Sequence, residues 1–428
     1  MRILYVSHYF PPEMGAPAGR VAGLARAWAR AGHEVHVLTG FPHHPVGRVH
    51  SEYRAAFRRG YQFERRESVH VHRTWIVPAA NRGKVLRSLN YLSFLLSAFV
   101  TGSLRLPRPD VVVATSPQLL CAAAGALLAR RFRAPLVMEV RDLWPESLVA
   151  VGASAGRSPL VRGLEGLARR LYREAAHVVT VTEAQRAVIV RAGVEAGRVT
   201  VIPNGVDEEF QRRADAAPPS DAQAETFVVT YIGTLGMAHR LETLLEAAAA
   251  MREEGGVLFR LVGEGAARAT LEARARELGL GHVEFTGERP REEVPAWIAG
   301  SDVCVVLLRR TEVFRTVVPS KMLEIMAAGR PLVLGVEGEA RELLERAGAG
   351  LAIEPENASH LAVALRRLRA DPKMRRQLGE SGRQFVQREF RRESLAARYL
   401  ALLQTLAFTP VEAAETPPCA ETEVTEAP

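Results

Sequence analysis

Three segments decide the fold: Phe227-Val-Val-Thr-Tyr-Ile-Gly-Thr-Leu-Gly236, Leu258-Phe-Arg-Leu-Val-Gly-Glu-Gly265 and Val283-Glu-Phe-Thr-Gly-Glu-Arg289. Each is a short apolar-rich run that stops at glycine. An Ala/Leu/Glu-rich stretch with helical spacing follows each one, at 240–251, 266–278 and 291–299. Strand-sized runs without strict polar alternation, separated by helices, are the pattern of a parallel sheet covered on both faces. Strands at 303–308 and 332–335 and helices at 320–328, 358–370 and 373–389 extend the series.

The first half repeats the theme. Strand candidates lie at 3–7, 35–39, 69–75, 111–115, 136–140, 178–182 and 199–202, with helical stretches at 18–31, 117–131, 160–175 and 183–192. The expected architecture is α/β, two doubly wound Rossmann-like domains facing each other across a cleft. Their spans are 1–210 and 226–390, joined by the polar, Ala/Pro-rich linker 211–225. A terminal helix at 391–407 can cross back to the first domain, and the acidic, Pro-rich tail 408–428 reads as disordered.

Composition narrows the class. A chain of 428 residues with 47% hydrophobic content can bury large cores, which excludes wholesale disorder and small disulfide scaffolds. Cys121, Cys304 and Cys419 are far apart, so a reducing compartment is expected and a cysteine-bound zinc is not. No signal peptide is read: the run 3–7 is strand-sized and leads straight into His8 and Pro11. The longest apolar run, 89–100, has twelve residues against the roughly 20 that cross a bilayer, so no membrane span is expected.

The net charge of +8 is uneven: +13 over 1–220, zero over 221–410 and −5 over the last eighteen residues. The basic residues show no zinc-finger or KH signature and no aromatic interleaving, which argues against nucleic acid. Arg82, Lys84, Arg87, Arg105 and Arg108 flank the apolar run, and Arg54, Arg58, Arg59, Arg65 and Arg66 precede it. Such a segment can lie on an anionic membrane surface; its bland alternative is a core helix with charged ends.

Candidate site residues sit at strand ends. Gly15 and Gly19 straddle the start of the first helix, where free N–H groups can receive a phosphate. The loop is not GxGxxG, which disfavours ordinary NAD binding. In the second domain Gly233, Thr234, Gly263, Gly265, Gly287 and Glu288 line up at three successive strand ends, and His239 or Arg240 can offset phosphate charge. In Val318-Pro-Ser320-Lys321-Met-Leu-Glu324, Ser320 reads as a helix N-cap and Lys321 as a cation in the first turn. A cation there opposes the helix dipole unless an anion compensates it. Glu324 can accept hydrogen bonds from both ribose hydroxyls of a nucleotide. In the first domain, Glu139-Val-Arg141-Asp142-Leu-Trp144-Pro145-Glu146 leaves a strand toward the cleft, and Asp142 is the candidate for a sugar or acceptor hydroxyl.

These stretches, with Tyr5-Val-Ser-His-Tyr-Phe-Pro-Pro-Glu-Met-Gly-Ala-Pro, Val201-Ile-Pro-Asn-Gly-Val-Asp207 and Pro319-Ser-Lys, resemble glycosyltransferase family 4, the retaining GT-B enzymes. The wording is most similar to the bacterial O-antigen and colanic-acid branch that includes the L-fucosamine transferase. The resemblance implies a nucleotide-sugar donor, a UDP-sugar such as UDP-N-acetyl-L-fucosamine, and no other cofactor. It implies an acceptor sugar on a polyprenyl diphosphate at the cytoplasmic face of the membrane, with the protein peripheral there. It also implies that Glu324 holds the ribose, that Arg240 steadies the pyrophosphate, with His239 and Lys321 as substitutes, and that no metal takes part. The family's other phosphate-steadying basic residue falls at Thr234, the first glutamate of its pair at Thr316, and its usual histidine at Arg141. Catalytic candidates are thus Arg141, Asp142, Arg240 and Lys321. The competing readings are an epimerase like the UDP-N-acetylglucosamine 2-epimerases and a non-catalytic nucleotide-sugar-binding protein.

Overall fold

The computed structural model describes residues 1–13, 15–44, 47–80, 84–116, 118–144, 159–217 and 226–408. Pro145, Glu146, Arg82, residues 218–225 of the expected linker and the tail from 409 lie outside the described residues.

The first sheet has eight strands: β1 (Arg2–Val6), β2 (Glu34–Gly40), β3 (Tyr61–Arg66), β4 (Val69–Thr74), β5 (Val111–Thr115), β6 (Leu136–Val140), β7 (His177–Thr180) and β8 (Val199–Val201). Their order is β3-β4-β2-β1-β5-β6-β7-β8, parallel throughout except for β3, which pairs antiparallel with β4 at the edge. The second sheet has six parallel strands: β9 (Phe227–Ile232), β10 (Val257–Val262), β11 (Val283–Gly287), β12 (Val303–Leu307), β13 (Leu332–Gly335) and β14 (Gly350–Ala352). Their order is β11-β10-β9-β12-β13-β14. This is the two-domain Rossmann-like architecture.

Strand order reverses between β1 and β5 in one sheet and between β9 and β12 in the other. Adjacent loops diverge at such points and leave a crevice at the strands' carboxyl ends. The cleft therefore has two defined walls.

Helix Arg392–Phe408 completes the core of the first domain, not the second: Leu395, Tyr399 and Leu403 are buried with Tyr5, Trp28 and Val37. The Trp28 indole donates to the Ala396 carbonyl at 3.0 Å and its ring meets Tyr399 edge-on. Residues 208–216 are helical, where an irregular linker from 211 was expected. Phe210 and Ala214 are buried in the second-domain core, and that packing overrides the polar composition.

The apolar run 89–100 belongs to a 22-residue helix, Lys84–Arg105, long and apolar enough by length and composition to cross a membrane. The expectation that nothing meets that criterion is corrected: the twelve apolar residues were only the middle of the helix. Its Asn90, Phe94 and Ala98 are buried on the first sheet.

Candidate active site

The second-domain wall is built around Tyr231, the penultimate residue of β9. Its hydroxyl donates to the Thr234 carbonyl at 2.7 Å and receives the Lys321 ammonium at 2.9 Å, which also stands 4.2 Å over the ring. A Cβ on Gly233 would lie 2.6 Å from Lys321 Nζ, so glycine at this positive φ lets the lysine reach the tyrosine. Burial pulls the Lys321 pKa down to about 7, opposed by the Glu324 charge. A half-neutral lysine in a pocket is a site prepared for an anion.

Gly263 and Gly265 serve this loop from behind. A Cβ at either would collide with the carbonyl of Gly233 or Leu235, and Leu235 N–H donates to the Glu264 carbonyl at 2.8 Å. Gly263 and Gly265, candidates for the site by their place at strand ends, fix the loop. Gly287 and the exposed Glu288 close the next strand end, beside Glu264 and Arg268. The cap is also different from that expected. Pro319 is the N-cap of helix Ser320–Ala327, with no side-chain capping bond, and Ser320 is its first helical residue. Because no side chain closes this end, its first-turn N–H groups stay available to a phosphate.

His239 does not supply positive charge. Its Nδ1–H donates to the Leu307 carbonyl at 3.2 Å, leaving a bare lone pair on Nε2, and burial holds its pKa down at about 3. Arg240 points elsewhere, 3.8 Å from both Glu242 and Glu356. Of the phosphate candidates, the structure thus gathers Gly233, Thr234, Ser320 and Lys321.

Glu324 sits one turn further on, largely buried and gripped by the Arg291 guanidinium through two hydrogen bonds, one of 3.1 Å. Arg291 in turn lies 5.3 Å over the Phe210 ring. A bidentate fork fixes the carboxylate plane and leaves lone pairs for two hydroxyls. Sequence reasoning missed Arg291; the run Glu288-Arg-Pro-Arg291 after β11 carried the signal.

At the position of the family's first glutamate, the Thr316 hydroxyl turns back onto the Val313 carbonyl at 2.8 Å. Its carbonyl accepts the Thr182 hydroxyl of the first domain at 2.8 Å. Glu339 accepts hydrogen bonds from the Glu183 and Ala184 backbone N–H groups next to it. Thr316 is thus part of a joint between the domains.

On the first-domain wall, Gly15 is exposed with φ 128 and is the N-cap of helix Ala16–Arg30, with no side-chain capping bond. Arg141 donates to the Ser116 carbonyl at 3.2 Å and its carbonyl receives Gln185. Burial raises the Asp142 pKa, with Arg141 opposing. Glu139 is structural: its carboxylate takes the Tyr5 hydroxyl at 2.9 Å and Arg20, which also donates to the carbonyls of Ile202 and Pro203.

The sequence reading did not single out the group at the β1–β5 switch point. Glu13 Oε2 and Ser116 Oγ are buried without hydrogen-bond partners among the described residues, and the His8 ring and the Gln118 amide make no hydrogen bond of good geometry there, although Asn90 stands beside His8 and Tyr9 beside Gln118. Each such atom costs about 1–3 kcal/mol unless a ligand satisfies it. Burial lowers the His8 pKa well below its ordinary value and raises Glu13 to about 7, although Glu13 Oε1 accepts the His43 and His44 N–H groups. The wall is buried and polar, with Glu13 close to half-protonated at neutral pH, a lining that suits hydroxyl groups.

Known proteins match this geometry. Residues 15–205 match the glycosyl transferase 4-like domain, and 213–385 match the glycosyl transferases group 1 family. The chain belongs to the family 4 glycosyltransferases. The enzyme is 27% identical over 416 residues to WcaI of Escherichia coli, named for a glycosyl transferase role in colanic acid biosynthesis, covering 94% of this chain and 99% of WcaI. It is 28% identical to the 2-deoxystreptamine glucosyltransferase of Streptomyces kanamyceticus, over 87% of this chain and 94% of that one. Among solved structures, sucrose-phosphate synthase from Thermosynechococcus elongatus superposes with a TM-score of 0.72 at 22% identity, covering 95% of this chain and 98% of that one. HepE from Anabaena, solved with UDP and glucose, gives 0.68 at 19% identity, covering 95% and 100%. The glycosyltransferase therefore has the GT-B fold, belongs to a retaining family, and moves a sugar from a nucleotide-sugar.

Proposed function

We propose that the enzyme takes its sugar from a UDP-sugar and passes it to a sugar on a polyprenyl diphosphate at a membrane surface, in surface-polysaccharide synthesis. The donor we favour is UDP-N-acetyl-L-fucosamine. The colanic-acid assignment of WcaI supports the pathway class, and the UDP and UDP-glucose complexes of HepE support the base. In this reading Glu324, held by Arg291, binds the ribose. Lys321, with the uncapped helix start at Ser320, balances charge growing on the departing phosphate. That phosphate oxygen takes the acceptor proton on the face it leaves, so the configuration is retained. Asp142 and the buried His8–Glu13–Ser116–Gln118 group position acceptor hydroxyls.

The observation that carries the lipid-linked acceptor is helix Lys84–Arg105. Val85, Leu89, Leu92, Leu96, Val100 and Leu104 form one outward stripe, each at least 45% exposed. Trp75, stacked on Phe57, adjoins it, and Arg54, Arg58, Arg59 and Arg65 are exposed nearby. An apolar stripe beside basic residues suits the interface of an anionic bilayer. Since Phe94 and Ala98 of the same helix are fully buried, the helix lies on the membrane and stays packed on the sheet. Its inner face reaches the acceptor wall, where Asn90 donates to His43 and Phe94 packs on His8.

Calorimetry with UDP, GDP and ADP tests the donor half. UDP should bind preferentially and weaken at least tenfold in Glu324→Ala; equal binding of the three, or an indifferent variant, contradicts it. Cosedimentation with anionic vesicles tests the membrane half. Leu92→Ser/Leu96→Ser should release the protein, and full binding by that variant removes the role of the stripe.

A further inference from the structure

Outside the cleft, the opposite end of the first sheet gathers a second cluster of polar side chains. Glu34 and His36 alternate on β2 and His70 and His72 on β4, and His36 lies directly across from His70 in register. All four side chains consequently emerge on one face. Ligand atoms of Glu34, His36 and His70 lie within 4.8 Å of one another, and the His36 and His70 rings are 4.8 Å apart between centroids.

The outer partners are also in place. Glu34 Oε1 is 2.9 Å from His36 Nε2, while Oε2 is held by Arg2 Nε at 2.9 Å. His36 Nδ1 is 3.0 Å from His72 Nε2, and His72 Nδ1 is 2.9 Å from the Tyr61 hydroxyl of β3. Because a carboxylate only accepts, one arrangement satisfies the chain: Tyr61 O–H donates to His72, His72 Nε2–H to His36, and His36 Nε2–H to Glu34. A ligating imidazole whose second nitrogen is held, beside a ligating carboxylate whose second oxygen is held, is the construction of a metal site.

We propose that Glu34, His36 and His70 bind one divalent transition metal, of the zinc class, at this sheet edge. Two imidazoles and a carboxylate supply three of the four positions of a tetrahedral Zn²⁺, and water takes the fourth. When the metal takes Nε2 of His36, its proton transfers to Nδ1 and is donated to His72 Nε2. His72 then carries its own proton on Nδ1 and donates it to the Tyr61 oxygen, so the relay releases no proton. The site ties β2 to β4, and through Tyr61 to the antiparallel strand β3. It lies at the start of β2, away from the strand ends that line the cleft, and its role is structural.

The test uses tag-free, full-length protein stripped with EDTA and titrated with Zn²⁺ alone by calorimetry, with Co²⁺ absorption reporting the ligand geometry. The expected result is saturable 1:1 binding, a tetrahedral Co²⁺ spectrum and a higher melting temperature with Zn²⁺. Glu34→Gln, at an exposed position where folding is safe, and His70→Ala should each weaken binding by roughly tenfold or more. His360→Ala, at an exposed histidine far along the chain, should bind as the parent does. Absence of saturable binding, or an affinity in Glu34→Gln and His70→Ala equal to that of the parent protein, overturns the proposal.

Discussion

Binding of the donor should draw a proton into the protein, and Lys321 sets how much. Its pKa of about 7 in the empty site comes from burial against Tyr231 and Gly233. At pH 7.5 such a lysine is protonated only about a quarter of the time. A diphosphate arriving within contact raises the pKa by roughly one to three units. The bound state is then about three-quarters to fully protonated, and uptake is roughly 0.5–0.75 proton per donor. At pH 6 the free lysine is already about nine-tenths charged, so uptake falls to about 0.1. The assay is calorimetric titration with UDP-glucose, whose diphosphate diester does not titrate in this range, in buffers of low and high ionisation enthalpy. The slope of observed against ionisation enthalpy counts the protons. In Lys321→Arg, which stays charged, the slope should collapse while binding survives. His239, starting from about 3, keeps its protonation state through any comparable rise, but Glu13, at about 7 on the facing wall, would itself take up a proton. A slope unchanged in Lys321→Arg would assign the proton to Glu13, and no slope in the parent protein would refute the reasoning altogether.

Glu13 itself makes a separate prediction. Its folded pKa of about 7 exceeds the ordinary 4.5, so the fold holds a proton that the unfolded chain has released. Stability from this group is therefore full below pH 4.5, is lost as pH rises to 7, and is flat above; the loss is about 3–4 kcal/mol. Glu13→Gln keeps the acceptor for the His43 and His44 N–H groups and should gain on the parent protein between pH 4.5 and pH 8 in urea titrations; a constant difference would contradict the assignment. Gly263→Ala sets a Cβ against the Gly233 carbonyl and should cost about 2–4 kcal/mol and displace the Gly233 loop that Lys321 packs on, while Gly281→Ala, with open space around it, should be neutral in the same thermal melts. Arg291→Lys keeps the charge but not the two-pronged grip on Glu324, and should weaken UDP several-fold without lowering the melting temperature.

The parallel strands were legible because burial on both faces demands continuous apolar runs, as in Val111–Thr115 and Leu136–Val140. Strand β3 was not. Tyr61–Arg66 carries two arginines and an exposed Phe63, and it exists because the Glu67 turn, with φ 53, folds it back on β4. β14 has three residues and leaves no periodic trace. Helix Lys84–Arg105 was visible only in its apolar middle, since period alone does not separate a buried apolar face from an exposed one.

In the site, Lys321 and Glu324 were readable because a cation and an acid in the first turns of an otherwise apolar helix call for a ligand. Their partners were not. The Arg291 fork, the Tyr231 hydroxyl and the Thr182–Thr316 contact join residues far apart in sequence. His8, Glu13, Ser116 and Gln118 converge only because β1 and β5 are neighbours at the switch point. Ser320 looked like a cap by residue type, and the helix starts with Pro319 in that role.

The proposed reaction is transfer from a UDP-sugar, with retention, to a membrane-borne acceptor. The most direct measurement incubates the full-length enzyme with a panel of UDP-sugars, UDP-N-acetyl-L-fucosamine among them, and a polyprenyl-diphosphate-linked sugar in anionic vesicles. Mass spectrometry of the lipid and NMR of the new linkage read the outcome. The expected product carries one added sugar with the anomeric configuration of the donor, and is lost in Lys321→Ala. A donor converted to its epimer without acceptor, or a product of inverted configuration, would contradict it.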